Sequence, residues 1–447
     1  MFSPTALRPP GRFFRFRYLV PVIVFLVVVR FSLPGNVGRE TISEWGFLRY
    51  SNKTWMPEDK ALVDSVCGGL RKGNRIVITV NTGATEILER VPTLLRSSLL
   101  CVPNLGDRQV FDALDTVPSE VMNGNTDFDL YRKQLELKDP VRVAEFLKGM
   151  KDPRNSDTAA AWTLDKYKKL HILEKAWDLN PNMDWYLHVD ADTYVIWSTL
   201  VAWLAKLDPT KESYLGSLSF INNLPFGHGG SGMLLSGAAM RSFVVHHNGT
   251  AARWDYKMQN ECCADWVLAQ ILTEYGMSLM NSWPTIQGET QSTIPFDSSH
   301  WCQPLATMHH ITPLQAAQMG DFEAKRKDKT KPLTFEELFN DLVSGLIPRT
   351  LDDWDNMALG HTENDVHSFD DCVGACKRDD KCLTALWKGD ECVLGTDDVK
   401  LGMKHIEGDE KKRWKSFWHK ERIAAWAEKQ KCSGEIKFPF EDGKSSK

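Results

Sequence analysis

Two aspartates one residue apart, Asp190 and Asp192, close an apolar run in Asp184-Trp-Tyr-Leu-His-Val-Asp-Ala-Asp-Thr-Tyr-Val195. Trp185, Tyr186, Leu187 and Val189 have the bulky composition of a buried strand, so both carboxylates fall where that strand should end. Open α/β sheets bind ligands just beyond the carboxyl ends of their strands, and paired carboxylates there suit a hard divalent cation such as Mn or Mg. The same triplet is also ordinary turn or helix-cap chemistry, so it needs company before it means anything.

Three further stretches supply that company. In Phe226-Gly-His-Gly-Gly-Ser-Gly232, clustered glycines let backbone and ligand approach closely, which makes His228, Gly229, Gly230 and Ser231 candidate sugar or acceptor contacts. An unliganded loop has the same composition. Asp265 opens a helical pattern from Trp266 to Tyr275, and the positive end of a helix dipole favours the ionised carboxylate that a general base needs. Aspartate in that place is equally a good helix cap. His309 and His310 sit beside a short apolar run, and a histidine there is a candidate metal ligand, although such pairs more often fill surface or core.

The elements that must position these groups are legible around them. Arg75 to Val80 reads as a buried strand, Asn81-Thr82-Gly83 as its turn, and Leu88, Val91, Leu95 and Leu99 as a following helix. Thr82 and Gly83 are therefore candidate nucleotide contacts, on a pattern that many α/β domains share. Asp157 can cap one continuous helix through Ala160, Leu164, Tyr167, Leu170, Leu173 and Trp177 to Asn180-Pro181. Asp165, Lys166, Lys168 and Lys169 lie along it, and Lys166 is taken as the lysine facing a diphosphate. Helices are expected over Val141–Met150 and Trp197–Leu207, and a strand over Tyr214–Ile221. The class is α/β, a mixed sheet with flanking helices.

At 447 residues the chain exceeds one ordinary core, and its net charge of -5 carries no polyelectrolyte signature, which argues against nucleic acid as a partner. Arg8, Arg12, Arg15 and Arg17 precede an apolar run, with no acidic residue before Glu40. We read residues 1–17 as a cytosolic basic tail, 18–33 as a transmembrane signal anchor and 34–70 as a stem; a cleaved signal peptide is the competing reading. Ten cysteines and the sequons at Asn52 and Asn248 suit an oxidising lumen. Residues 316–360 read as a charged connector and 406–447 as a loose helix with a disordered end. Between them, Cys372, Cys376, Cys382 and Cys392 crowd a short polar span that depends on bridges, with zinc as the less fitting alternative.

The order of these stretches resembles glycosyltransferase family 31, particularly the core 1 β1,3-galactosyltransferase and fringe group. The resemblance rests on Arg75–Gly83, Trp185–Val195, Gly229–Gly232 with Leu235-Ser236, Cys263-Ala-Asp265, and Thr307-Met-His309. It implies a GT-A fold over residues 71–315. It further implies that Asp190, Asp192 and His309 hold Mn (or Mg) against the diphosphate of a UDP-sugar, with Asp265 as the base of an inverting transfer. The hexose implied is galactose, β1,3-linked, and the acceptor a glycan or glycoprotein. The setting implied is a Golgi or other secretory membrane, single-pass type II. Ala264 stands where the family has Glu, and Ala191 where relatives often carry Asp. Residues 361–405 resemble a PAN/apple module, which implies nested bridges, Cys372 with Cys392 and Cys376 with Cys382, and a protein or carbohydrate partner; the spacing alone does not choose a pairing. Two other classes stay open: a catalytically decayed luminal carbohydrate-binding protein, and a structural membrane protein that uses the cysteine module.

Overall fold

The β-branched run Ile-Val-Ile-Thr-Val forms β1 (Ile76–Asn81), and the Trp185 run forms β2 (Trp185–Asp190). These are followed by β3 (Tyr194–Val195), β4 (Tyr214–Gly216), β5 (Leu218–Ile221), β6 (Leu224–Gly227), β7 (Met233–Ser236), β8 (Leu279–Asn281) and β9 (Thr307–Met308). The computed structural model describes residues 75–84, 86–99, 110–149, 159–430, 432 and 434–441, all within one compact unit. The expected anchor, stem, Asn52 sequon, Cys67, Cys101 and Asp157 cap lie outside the described residues. Among those described, no helix is long and apolar enough to cross a membrane.

The central sheet is mixed, in the order β1-β2-β7-β4-β8. β1 is parallel to β2, β7 is antiparallel to both β2 and β4, and β8 is parallel to β4. It follows that the carboxyl ends of β1, β2, β4 and β8 share one edge with the amino end of β7. Asn81 and Asp190 are register partners at that edge, and the glycine loop feeds into Met233 beside them. Strand alternation then sorts the core. Tyr186, Tyr214 and Leu235 pack on one side with Leu170, Leu173, Leu268 and Ile271. Trp185, Leu187, Val189, Leu215 and Leu234 pack on the other with Leu200 and Trp203. Burial on both faces explains why β2 reads as an apolar run broken only by His188.

The helices that matter to the edge are α1 (Ile87–Arg96), α2 (Ala159–Asp165), α3 (Lys168–Leu179), α4 (Trp197–Leu204), α5 (Ala264–Glu274) and α6 (Pro313–Lys325). The continuous helix expected through Trp177 is instead two, α2 and α3, broken at Lys166-Tyr167. Both side chains at the joint have strong partners elsewhere. Lys166 pairs with Asp127 at 2.9 Å and donates to the carbonyls of Gln259 and Glu261, while the Tyr167 hydroxyl donates to Asp127 at 2.9 Å. The strand expected over Tyr214–Ile221 is also two. β4 belongs to the central sheet, whereas β5 leaves it at Ser217 and pairs with β6 as a hairpin.

The larger correction lies in the C-terminal third. Residues 316–360, expected as a charged connector, contribute to the core, since Phe335, Leu338, Phe339 and Val343 are buried with Tyr194, Met308, Val399 and Trp418 in a single cluster. A second five-stranded sheet, all antiparallel, runs Thr350–Asp352, Lys415–Trp418, Thr384–Trp387, Cys392–Gly395, Gly360–Glu363. Helix Phe369–Arg378 covers it, bridged by Cys372–Cys392 (S–S 2.01 Å) and within itself and its following turn by Cys376–Cys382 (1.99 Å). The expected loose tail supplies an interior strand of that sheet and a helix, Lys420–Lys429. Beyond it Phe438 is buried, the Trp203 indole donates to the Pro439 carbonyl at 2.9 Å, and Cys302 bridges Cys432. Sparse but large aromatic side chains, rather than long apolar runs, close this part of the core.

Candidate functional site

The chemistry-bearing side chains converge on the shared strand edge in two adjoining groups. In the first, Asp190 ends β2 opposite Asn81, whose amide donates to Asp190 at 3.2 Å and to Asp165, at the end of α2, at 2.9 Å. Lys169, in the first turn of α3, is buried and pairs with Asp265 in the first turn of α5. Asp265 also accepts the Gly229 amide at 2.7 Å. It does not cap its helix: Cys263 occupies the cap position and no side-chain cap bond forms there. Lys166, the lysine expected at a diphosphate, is held at Asp127, and Lys169 takes the place beside the carboxylates.

The second group forms just beyond β2. Asp192 meets the His309 ring at 3.2 Å and the His310 ring at 3.8 Å, and Arg90 from α1 reaches it at 3.2 Å. His309 follows β9, which pairs with β3 directly after the aspartates, so this small antiparallel ladder brings the histidines to Asp192. One ligand atom each from Asp192, His309 and His310 lies within 4.8 Å of the others. His228 stands edge-on to His309, with ring centroids 5.3 Å apart. Its Nδ1 accepts the Ser231 amide at 3.2 Å and sits 2.8 Å from the Ser231 hydroxyl, which leaves Nε2 as the protonated nitrogen of the neutral ring. Ser231 itself is enclosed, so His228 is the more accessible of the two.

The glycine loop joins the groups because Gly229 and Gly230 carry no side chain. A Cβ at Gly229 would land on the Lys169 ammonium and the Asp265 carboxylate, and one at Gly230 on the His309 ring. The Thr193 hydroxyl, one residue past Asp192, donates to the Gly230 carbonyl at 2.6 Å and locks the loop to the end of β2. Thr82 and Gly83 lie at the same edge as a turn: the Gly83 carbonyl accepts the Ile87 amide at 3.0 Å, and the Thr82 carbonyl accepts Lys168 at 3.3 Å. Ala191 and Ala264 are both buried.

Electrostatics separates the carboxylates. Burial pushes Asp190 up to about 6 even against the opposing charge of Lys169. Burial would raise Asp192 too, but hydrogen bonds from His309 and His310 and the charge of Arg90 hold it well below the usual carboxylate range. Asp265 is likewise lowered, since Lys169 and the Gly229 amide more than offset its burial. Burial opposes the charge on Lys169, and Asp265 and Asp190 outweigh it, so its ammonium is raised. Burial and Lys169 bring His188, on the same face of β2, down to about 3 and keep it neutral. The edge therefore offers one carboxylate beside two imidazoles, a combination able to hold a divalent cation. It also offers a separately ionised carboxylate within the reach of an amide and an ammonium.

Sequence reasoning missed Arg90, Asp165 and Asn81, and it chose among the lysines without the helix break. Lys169 carried a signal, because it lies four residues before Leu173 and so shares that residue's buried face once α3 starts at Lys168. Arg90 carried none: it is one exposed-looking arginine on a helix whose partner lies a hundred residues away.

Residues 112–283 match the family model described as Fringe-like. That bears out the resemblance to glycosyltransferase family 31 over this region, and it supports glycosyltransferase activity in general terms. The match takes in Lys169, both aspartates, the glycine loop and Asp265, and ends before the histidines. No protein of curated description matches the chain.

Proposed function

Starting from a Fringe-like region that carries this edge, we propose that the chain is a GT-A type, cation-dependent inverting glycosyltransferase. It moves a hexose from a UDP-sugar to a hydroxyl of a glycan or glycoprotein acceptor. Galactose in β1,3 linkage is the product that the family resemblance favours. The observation that carries the reading is the convergence of Asp190, Asp192, His309 and Asp265 on one strand edge around Gly229 and Gly230, where a Cβ would collide with these groups.

In this reading Asp192 and His309 hold a divalent cation, which supplies positive charge to the leaving diphosphate when bound. Arg90, Lys168 and Lys169 add positive side chains along the same edge. Thr82 and Gly83, at the end of β1, face the nucleotide, and His228 with Gly229 and Gly230 borders the sugar. Asp265 takes the proton from the acceptor hydroxyl as its oxygen bonds to the anomeric carbon and the bond to UDP breaks. Lys169 and the Gly229 amide keep that carboxylate ionised and aimed, so it is ready to accept at neutral pH. Attack opposite the departing UDP inverts the anomeric centre. The basic residues 1–17 and apolar 18–33 would place the enzyme in a secretory membrane as a type II protein, and the C-terminal bridged sheet would contact acceptor or partner.

The test is release of UDP from UDP-galactose, UDP-GlcNAc and UDP-glucose by the full chain with Mn and a panel of glycan acceptors. Asp265→Asn should lower the rate by about 10²–10⁴-fold, the contribution of a positioned base. Equal rates for the variant and the parent would remove Asp265 from this role. Turnover of no donor would remove the transferase reading.

A further inference from the structure

Family resemblance hands the cation to Asp190, Asp192 and His309, but the side chains divide differently. Asp190 is absent from the group of mutually close ligand atoms; its carboxylate is engaged by the Asn81 amide, which also holds Asp165. His310 is present in that group. Building on the transferase reading, we infer that the protein ligands of the cation are Asp192, His309 and His310, and that Asp190 belongs instead to the cluster that orients Lys169 and Asp265.

The backbone is the first argument. Consecutive residues leaving a strand point to opposite faces, so two adjacent histidines should not reach one carboxylate. Here His310 adopts φ 58°, in the left-handed region that a residue with a side chain rarely enters. The turn swings its ring back until the two imidazoles lie 3.8 Å apart between centroids, each facing a different oxygen of Asp192. Enclosure is a second argument: His309 is only 6% exposed, and its Nε2 faces Asp192 at 3.2 Å. The third is charge. Asp192 is met on one oxygen by Arg90, which supplies the positive charge that a cation would bring, and Arg90 has a second partner in Glu86 at 3.7 Å.

Chemistry follows from the donor set. Two imidazoles and one carboxylate make a nitrogen-rich site that favours Mn and later transition metals over Mg or Ca, and three protein ligands leave positions open for diphosphate oxygens. Asp190, freed from the metal, has a different task. The Asn81 amide ties it to Asp165, at 3.2 and 2.9 Å, so that both carboxylates stand at the edge that holds the buried Lys169–Asp265 pair.

The experiment measures free Mn by electron paramagnetic resonance during titration into the full chain, with UDP held constant. His310→Gln, an exposed side chain whose loss spares the core, should weaken Mn binding at least tenfold, on the order of what even outer-sphere partners contribute. Asp192→Asn and His309→Gln should abolish it. Asp190→Asn should leave the Mn affinity within about threefold, a range small against a lost ligand. Mg should compete poorly. Loss of Mn binding in Asp190→Asn with retention in His310→Gln would overturn the inference while leaving the transferase reading intact. A parent chain that binds no Mn with UDP present would overturn both.

Discussion

Gly229→Ala is the substitution that most sharply separates this arrangement from a loop with glycines by accident. Gly229 does not occupy the left-handed region, so alanine fits the backbone and the cost is steric. The added methyl would overlap the Lys169 ammonium and come within 2.7 Å of an Asp265 carboxylate oxygen. Neither group can retreat into solvent, because the Lys169 side chain is 4% exposed and that of Asp265 21%. Removing one partner of a buried pair costs about 3–5 kcal/mol, and forcing the partners apart should recover part of that, leaving about 1–3 kcal/mol of destabilisation. A base displaced by roughly 1 Å costs about 10²-fold in rate. Thermal melting and UDP release, measured together, read both effects. Lys169→Met removes the group that the methyl meets, so alanine should cost less in the double variant than alone, a coupling that a mutant cycle reports. Parent-like melting and turnover for Gly229→Ala would refute the packing on which the site is built.

Other outcomes follow from the same structure. Glu323 on α6 accepts the buried Tyr194 hydroxyl at 2.5 Å, and burial raises it from 4.5 to about 7. Its stabilising neutral form is complete below pH 4.5 and is lost as pH rises through about 7. Glu323→Gln should therefore raise the melting temperature at pH 8 and change it little at pH 5. The gain is worth about 2 kcal/mol once the residue's partial exposure is allowed for, and equal effects at the two pH values would contradict it. Cys302→Ser opens a bridge spanning 130 residues of sequence and should cost about 2–4 kcal/mol, visible as a lower melting temperature that reducing agent no longer changes at this bond. An unchanged melt would mean that the C-terminal segment is not held to the rest of the fold through Cys432.

How far the sequence reveals the fold differs from element to element. β2 was legible because burial on both faces writes an apolar run interrupted only by His188, and the aspartates mark its end. Asp265 and the glycine loop were legible as types and places, but not in their contacts. Whether Asp265 caps a helix or pairs with Lys169 depends on α3, nearly a hundred residues earlier, and periodicity carries no such distance. The helix break at Lys166-Tyr167 was hidden for the same reason, since Asp127 and the carbonyls of Gln259 and Glu261 that anchor it are remote. The C-terminal sheet was hidden more completely. Its strands are short, its surface is charged, and strand Thr350–Asp352 finds its partner only at Lys415–Phe417. Strand propensity is set by such neighbours rather than by the residues themselves. Conversely, the paired cysteines marked the bridged span because four thiols in so few polar residues leave little else to hold it.

In this reading the strand edge is a nucleotide-sugar site built on Asp192. Calorimetric titration of UDP into the full chain, with and without Mn and with Asp192→Ala beside the parent, addresses it without knowledge of the acceptor. The parent should bind UDP only when Mn is present, and Asp192→Ala should not bind it at all. Binding that is indifferent to Mn and to Asp192, or its absence from correctly folded and bridged protein, would contradict that reading.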